Sequence, residues 1–169
     1  RAHQTEIDME RAHQIEAEIK HDLMAEVRTY AEQCKIGGGI IHLGATSMDV
    51  EDNAEALRIQ ESLNLLHEQL KTLLITLANL IEREAEHVCM AFTHLQPAEP
   101  TTVGYRLAGY AQDLLHDYLQ WMQVAGKGFK GAVGTAASYT ELLIDTPITP
   151  ADLEAQILGN LNLPAFTIA

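Results

Sequence analysis

The sequence contains little of what a secreted or membrane-bound protein needs. Its 169 residues include only two cysteines, Cys34 and Cys89, which are too few and too far apart for a disulfide framework. No run of 18 apolar residues could cross a bilayer, and no signal-peptide pattern opens the chain. These absences predict a reduced, cytoplasmic protein that has no membrane partner.

Basic residues are also scarce. Eleven lysines and arginines stand against 24 aspartates and glutamates, which gives a formal net charge of −13. A charge of this sign repels nucleic acid and anionic membranes, so neither is an expected partner. A small anionic ligand would need local help, either from the N-terminus of a helix or from another chain.

Glycine and proline are absent between Gly44 and Pro97, and an apolar repeat runs through this stretch. The repeat is spaced alternately by four and three residues, as in a coiled-coil seam. Its members are Ile59, Leu63, Leu66, Leu70, Leu73, Leu77 and Leu80, flanked by Leu65, Leu74, Ile75 and Ile81. The pattern predicts a helix from Ser47 to about Glu86, roughly 60 Å long. So long a helix predicts an all-α, elongated long-helix bundle that packs against copies of itself.

Shorter helices are predicted on both sides of the long one. They cover residues 2 to about 18, His21 to about Gln33, Thr101 to about Val124, and Pro150 to about Leu161. Glycines end the second helix, and the Pro150 segment opens with a helix-start pattern. The buried stripe expected on the third is Val103, Leu107, Tyr110, Leu114 and Trp121.

Several familiar motifs are absent or occur by chance. Residues 126–131 read G-x-G-x-x-G, but a helix rather than a strand precedes them, which argues against a dinucleotide site. No metal-ligand spacing and no serine-nucleophile elbow occur. The scattered histidines are expected on the surface, and they are His3, His13, His67, His87 and His116.

Three short segments carry residue types suited to ligand binding and proton transfer. One opens the second helix; one lies at the N-terminus of the long helix, after Gly44; one follows that helix, ahead of two prolines. Taken singly, each could be only a helix cap or a surface loop. Acids in the first turn of the long helix, Asp49 among them, suit the helix dipole. The candidate residues are Lys20, His21 and Asp22, then Thr46 and Ser47, then Thr93 and His94.

Four stretches together resemble the adenylosuccinate lyase family, within the fumarase/aspartase superfamily. They are Lys20–Glu26, Ile41–Asn53, Phe92–Gly104 and Phe129–Thr135, and they include the strings HLGATS and FTHLQPA. Their order and spacing resemble the family over nearly the whole chain. The resemblance implies a β-elimination that releases fumarate from succinyl-AMP, an anionic small molecule, and from the related succinylated carboxamide ribotide. We expect no metal and no cofactor.

The resemblance also assigns roles, which follow the chemistry of the reaction. Removing a proton beside a carboxylate builds up negative charge that needs hydrogen-bond donors, and the departing amine needs a general acid. His94 would be that acid, with Thr93 binding substrate beside it. Residues 46 and 47 would hold a succinyl carboxylate. His21, with its neighbours Lys20 and Asp22, would bind near the phosphate or assist the acid.

Part of the family pattern is missing from this sequence. The family's catalytic base is a serine in an S-S-x-M-P-x-K-x-N loop, and its active sites are shared between the subunits of a homotetramer. The chain begins with Arg1 rather than Met and has no such loop, so we expect an excised piece that is inactive alone. Residues 1–45 would end an N-terminal helical domain, and 46–169 would begin the central bundle. Argininosuccinate lyase, carboxymuconate cycloisomerase or a non-catalytic assembly module remain alternatives.

Overall fold

The computed structural model describes residues 6–120 and 123–169, and most of them are helical. The helices are α1 (Met9–Ile19), α2 (Asp22–Gln33), α3 (Ser47–Arg83), α4 (Val103–Leu119), α5 (Ala137–Leu142) and α6 (Pro150–Leu161). A short 3-10 helix covers Gly38–Ile40, and the strands are β1 (Val88–Thr93) and β2 (Gln96–Thr102). None of the described helices combines the length and apolarity that a membrane crossing requires. The predicted helical class is confirmed.

The chain divides into two compact units. The first comprises residues 1–57 and 124–169, and the second comprises 58–123. The chain passes from the first unit to the second within α3 and returns after α4.

In the first unit, α1 and α2 form an antiparallel pair. The guanidinium of Arg11, early in α1, donates two hydrogen bonds to Glu32, near the end of α2, at 2.8 and 2.9 Å. The side chain of Asp8 accepts from the backbone N–H of Arg11 and caps α1, which therefore begins at Met9. The helix predicted from residue 2 starts later than expected for this reason, and residues 1–5 lie outside the described part of the chain.

The core of the first unit joins the start of α3 to α6. Ala56, Leu158 and Leu163 are buried together. Thr149 and Asp152 cap α6 reciprocally, each side chain accepting from the other's backbone N–H, with Pro150 at the first helical position. The helix predicted from Pro150 to Leu161 is confirmed.

The second unit contains the rest of α3, a β-hairpin and α4. The two prolines after His94 suggested a loop, yet β1 and β2 pair antiparallel from Val88 opposite Thr102 to Thr93 opposite Gln96. The prolines of β2 are tolerated because each strand of a two-stranded sheet is an edge strand, and proline lacks only the N–H. The N–H of Gly104 donates to the carbonyl of Glu84 at 2.9 Å, which brings the start of α4 against the end of α3.

Three expectations for this unit need correction. Helix α4 begins at Val103 rather than Thr101, because the Thr102 side chain caps it. Tyr110 is 64% exposed rather than buried, and Trp121 lies outside the described residues. His67 is half-buried and stacks on Tyr118, with 4.3 Å between the ring centroids; His3 also lies outside the described residues.

The apolar seam on α3 is only partly covered. Ile59, Leu66 and Leu73 are 43%, 56% and 46% exposed, and the other seam residues are half-buried. The seam therefore presents apolar surface along the helix.

Candidate active site

The second candidate segment forms the N-terminus of α3. The helix begins at Ser47, and the backbone N–H of Thr46 donates to a carboxylate oxygen of Asp49 at 3.0 Å. Thr46 and Ser47 are both half-buried. A cavity of about 350 Å³ adjoins them, lined by Thr46, Asp52, Lys127 and the 130–134 segment among others. The first-turn N–H groups and the helix dipole suit this end of the helix to an anion.

From the sequence, Asp49 was expected only to interact with the helix dipole. In the structure it is buried and accepts hydrogen bonds from other segments of the chain. It is 4% exposed. Its Oδ1 accepts from the N–H of Lys130 at 2.8 Å, and both oxygens accept from the N–H of Gly131, at 3.1 and 3.2 Å. Its Oδ2 also accepts the hydroxyl of Tyr139 at 3.0 Å. Asp49 thus links the start of α3 to the 130–131 loop and to α5.

The Tyr139 hydroxyl stays protonated and donates across the neutral pH range. Burial of the ring raises the pKa of Tyr139 well above its usual range, and the hydrogen bond to the Asp49 carboxylate raises it further. The phenol is therefore a fixed neutral donor to Asp49.

The G-x-G-x-x-G segment is held by a second buried group on the same face of α3. Asn53 is 1% exposed, and its Nδ2 donates to the carbonyls of Asp49 and Gly128 at 2.8 and 2.9 Å. The N–H of Gly128 donates back to Asn53 Oδ1 at 3.2 Å. A Cβ on Gly126 would run into Asn53 Oδ1, so glycine is needed there for close packing against α3.

The side chains around the cavity carry no excess of positive charge, because two lysines stand against Asp49, Asp52 and Glu154. Lys130 is 8% exposed, and its Nζ lies 2.7 Å from Glu154 Oε1, which neutralises it. Lys127 lies with its Nζ 5.2 Å from the centroid of the Phe166 ring and faces the same cavity. Asp49 and Asp52 line the cavity as well. Attraction for an anion therefore rests on the helix terminus rather than on an excess of lysines.

The first candidate segment is the corner between α1 and α2. Lys20 ends α1 in the left-handed conformation, with φ of 56°, and His21 is the N-cap of α2. His21 Nδ1 accepts from the N–H of Met24 at 3.4 Å and lies 3.4 Å from Asp22 Oδ1. The first contact needs an unprotonated Nδ1 and the second a protonated one, so only one operates at a time. In the capping state Nε2 carries the proton and is the ring's donor.

The third candidate segment is the turn of the hairpin. Thr93 ends β1, and the next two residues, His94 and Leu95, both have left-handed backbones, with φ of 51° and 64°. Positive φ at both central residues is the pattern of a two-residue hairpin turn that matches the strand twist. Thr93 and His94 are exposed, so the hairpin presents the histidine at its tip.

The structure places the three segments in two units. Residues 20–22 and 46–47 belong to the first unit, and Thr93 and His94 to the second. Within the first unit, Leu23 and Val50, in the first turns of α2 and α3, line a shared apolar cavity of about 180 Å³. Among the described residues, no group of three or more His, Cys, Asp or Glu side chains could hold a metal ion.

Sequence reasoning missed the polar groups that support the second segment. Asp49 and Asn53 are four residues apart and so lie on one face of α3, which Ala56 continues with another buried side chain. Polar residues in register with a buried apolar stripe were the available signal. Their partners, 75 to 90 residues away, left no local signal.

Comparison with known proteins agrees with this helical architecture. A protein-family model described as "Lyase" matches residues 3–166. The adenylosuccinate lyases of Pyrococcus horikoshii and Archaeoglobus fulgidus are 39% and 40% identical to the chain, over 94% and 95% of it. The chain covers 38% and 35% of those two proteins. The adenylosuccinate lyase of Schistosoma mansoni is 42% identical over 73% of the chain, which covers 27% of it.

Solved structures show the same fold. The crystal structure of a fumarate lyase from Mesorhizobium sp. BNC1 matches 99% of this chain, with a TM-score of 0.85 and 24% identity. A 3-carboxy-cis,cis-muconate lactonizing enzyme from Pseudomonas putida matches 96%, with a TM-score of 0.76 and 23% identity. The chain covers 39% and 37% of these structures. Because the family match covers nearly the full length of the chain, the chain belongs to the lyase family, as its resemblance to adenylosuccinate lyases predicted.

Proposed function

We propose that this chain supplies part of the active site of an adenylosuccinate lyase. The enzyme would cleave succinyl-AMP, and the related succinylated carboxamide ribotide, to fumarate and the corresponding amine in purine biosynthesis. The observation that carries the proposal is the similarity to adenylosuccinate lyases over 94% of the chain. The lyase family match also includes every candidate segment, from Lys20 to His94.

In the proposed reaction, His94 protonates the departing amine. A base outside this sequence would take the proton from the succinyl carbon next to a carboxylate, and the C–H electrons would form the new C=C bond. The C–N bond would then break, its electron pair staying on nitrogen. Protonated His94 would give its proton to that nitrogen, a step for which an imidazole is suited near neutral pH. Its place at an exposed turn leaves the ring accessible to a ligand.

The proposed carboxylate site is the N-terminus of α3. Thr46 and Ser47 offer hydroxyls at the first turn of the helix, where the helix dipole suits a carboxylate. His21 would offer its Nε2–H to the phosphate or to the acid, with Lys20 and Asp22 beside it. Because the side chains at the α3 cavity give no excess of positive charge, the anionic substrate would need further cations from another chain.

We propose that the protein acts as a cytoplasmic homotetramer. The partly exposed seam of α3, including Leu66 and Leu73, supports association through this helix. The relatives named above are adenylosuccinate lyases, which favours that reaction over the argininosuccinate lyase alternative. The muconate enzyme shares the fold at 23% identity, which carries no argument about the reaction.

A hybrid enzyme tests the proposal. In this hybrid lyase, the chain replaces the region that it matches in the Pyrococcus horikoshii adenylosuccinate lyase. We expect the hybrid lyase to release fumarate from succinyl-AMP, followed by ultraviolet absorbance, and the 169-residue chain alone to release none. A folded, tetrameric hybrid without activity would favour the assembly-module alternative, and activity of the chain alone would show that it contains its own base.

A further inference from the structure

The segment 44–49, which carries Thr46 and Ser47, is held at both ends by contacts with residues 138 and 139, and we call these contacts the clamp. At one end, Ser138 Oγ donates to the carbonyl of Gly44 at 2.6 Å, and a Cβ on Gly44 would lie only 3.1 Å from the Tyr139 ring. At the other end, Asp49 Oδ2 accepts the Tyr139 hydroxyl. One aromatic side chain therefore lies beside both ends of a six-residue segment.

The Asp49 carboxylate is buried, yet within the described part of the chain it accepts its hydrogen bonds from neutral groups and not from a cation. Its donors are the backbone N–H groups of Thr46, Lys130 and Gly131 and the phenol of Tyr139, and all are neutral. Among the described residues, no ion pair to Asp49 is present within 4 Å. A simple helix cap would need only the Thr46 contact and would leave the carboxylate exposed. The additional donors fix the carboxylate in one place and direction.

We propose that Asp49 and Tyr139 are positioning residues, which hold Thr46 and Ser47 in the geometry that binds a substrate carboxylate. This inference rests on the proposed function. Neither residue is assigned contact with the substrate. Asp49 acts through the backbone of Thr46, and Tyr139 acts through Asp49 and through its packing on Gly44. Donors that are fixed before the substrate arrives need no reorganisation during the reaction, which is the physical advantage of such a clamp.

Hydrogen exchange on the 169-residue chain tests the clamp itself. Tyr139→Phe removes only the hydroxyl, and Asp49→Asn puts an amide N–H₂ where one carboxylate oxygen accepted. We expect exchange of the Thr46 amide to quicken about fivefold in the first variant and about tenfold in the second. Glu51→Gln, the same carboxylate-to-amide change in the same helical turn, should leave it unchanged. Unchanged exchange in Tyr139→Phe, or an equal effect from Glu51→Gln, would overturn the clamp.

Kinetics of the hybrid lyase separate positioning from mere stability. A purely structural role lowers the amount of folded enzyme, and so the maximal rate, but leaves KM unchanged. Positioning predicts that Tyr139→Phe raises KM for succinyl-AMP about fivefold in enzyme that remains folded by circular dichroism. In a Thr46→Val background, Tyr139→Phe should raise KM by a smaller factor, because both changes weaken the same contact between Thr46 and the substrate carboxylate. An unchanged KM, or fully additive effects, would overturn the proposal.

The two failures are distinguishable. An inactive but folded hybrid lyase with the unaltered chain sequence overturns the proposed function. An active hybrid lyase whose KM is indifferent to Tyr139→Phe and Asp49→Asn overturns the positioning role alone.

Discussion

Asn53 offers the sharpest test of how the start of α3 is held. Its side chain is 1% exposed and makes three hydrogen bonds, two of them to the backbone of Gly128. Asn53→Ala would leave the N–H and the carbonyl of Gly128 without their partner in a buried place. Each unmet group costs about 1 to 3 kcal/mol, and the cavity left by the amide adds to this. We expect the free energy of unfolding to fall by about 3 kcal/mol.

Urea unfolding followed by far-ultraviolet circular dichroism measures this loss. A matched control lies farther along the same helix, where exposed Asn64 accepts one hydrogen bond from Gln60 at 3.0 Å. Asn64→Ala should change the free energy of unfolding by less than about 0.5 kcal/mol, as is usual for surface positions. If Asn53→Ala were no more destabilising than Asn64→Ala, the hydrogen bonds to Gly128 would not hold the loop, and the reasoning would be refuted.

Three further predictions follow from the structure. Lys130→Met should lower the free energy of unfolding by about 3 kcal/mol, because the mostly buried carboxylate of Glu154 loses its counter-charge and keeps a hydrogen bond from the N–H of Phe129. Lys71→Met, in an exposed pair, should lower it by less than about 1 kcal/mol. Urea unfolding compares the two variants, and equal losses would contradict the burial argument. The raised pKa of Tyr139 means that its contribution to stability is complete below the unfolded pKa of about 10 and is lost as pH rises above it. Tyr139→Phe should therefore lower the pH dependence of the melting temperature above pH 10, and an unchanged dependence would refute this. Leu95→Gly should stabilise the chain by about 1 kcal/mol, because Leu95 has φ of 64° and is 93% exposed; thermal melting that shows a loss would mean that the leucine side chain contributes more than the strain costs.

Local patterns in the sequence predicted those features that depend on local chemistry. The glycine-free and proline-free repeat predicted α3, which runs from Ser47 to Arg83. A proline followed by an acid predicted α6, because a capping box satisfies the first N–H groups of a helix. The hairpin was missed because Pro97 and Pro100 suggest a loop, although an edge strand tolerates proline.

The supporting contacts of the candidate site could not be predicted in this way. Asp49 is 81 residues from Lys130 and 90 from Tyr139, so their hydrogen bonds depend on the tertiary fold. From the sequence, an acid in a first helical turn is equally suited to an exposed position beside the helix dipole. The candidate residues could be picked out from their types and their places at helix ends, but their roles came from a family resemblance and stay predictions.

We propose that His94, on the turn of the hairpin, is the general acid of an adenylosuccinate lyase. The most direct measurement is the rate of succinyl-AMP cleavage by the hybrid lyase, with His94 intact and with His94→Gln. The exposed position of His94 predicts an unchanged melting temperature, and loss of a general acid predicts a kcat lower by about 10²- to 10⁴-fold. A His94→Gln hybrid lyase that kept its full kcat would show that His94 is not the general acid.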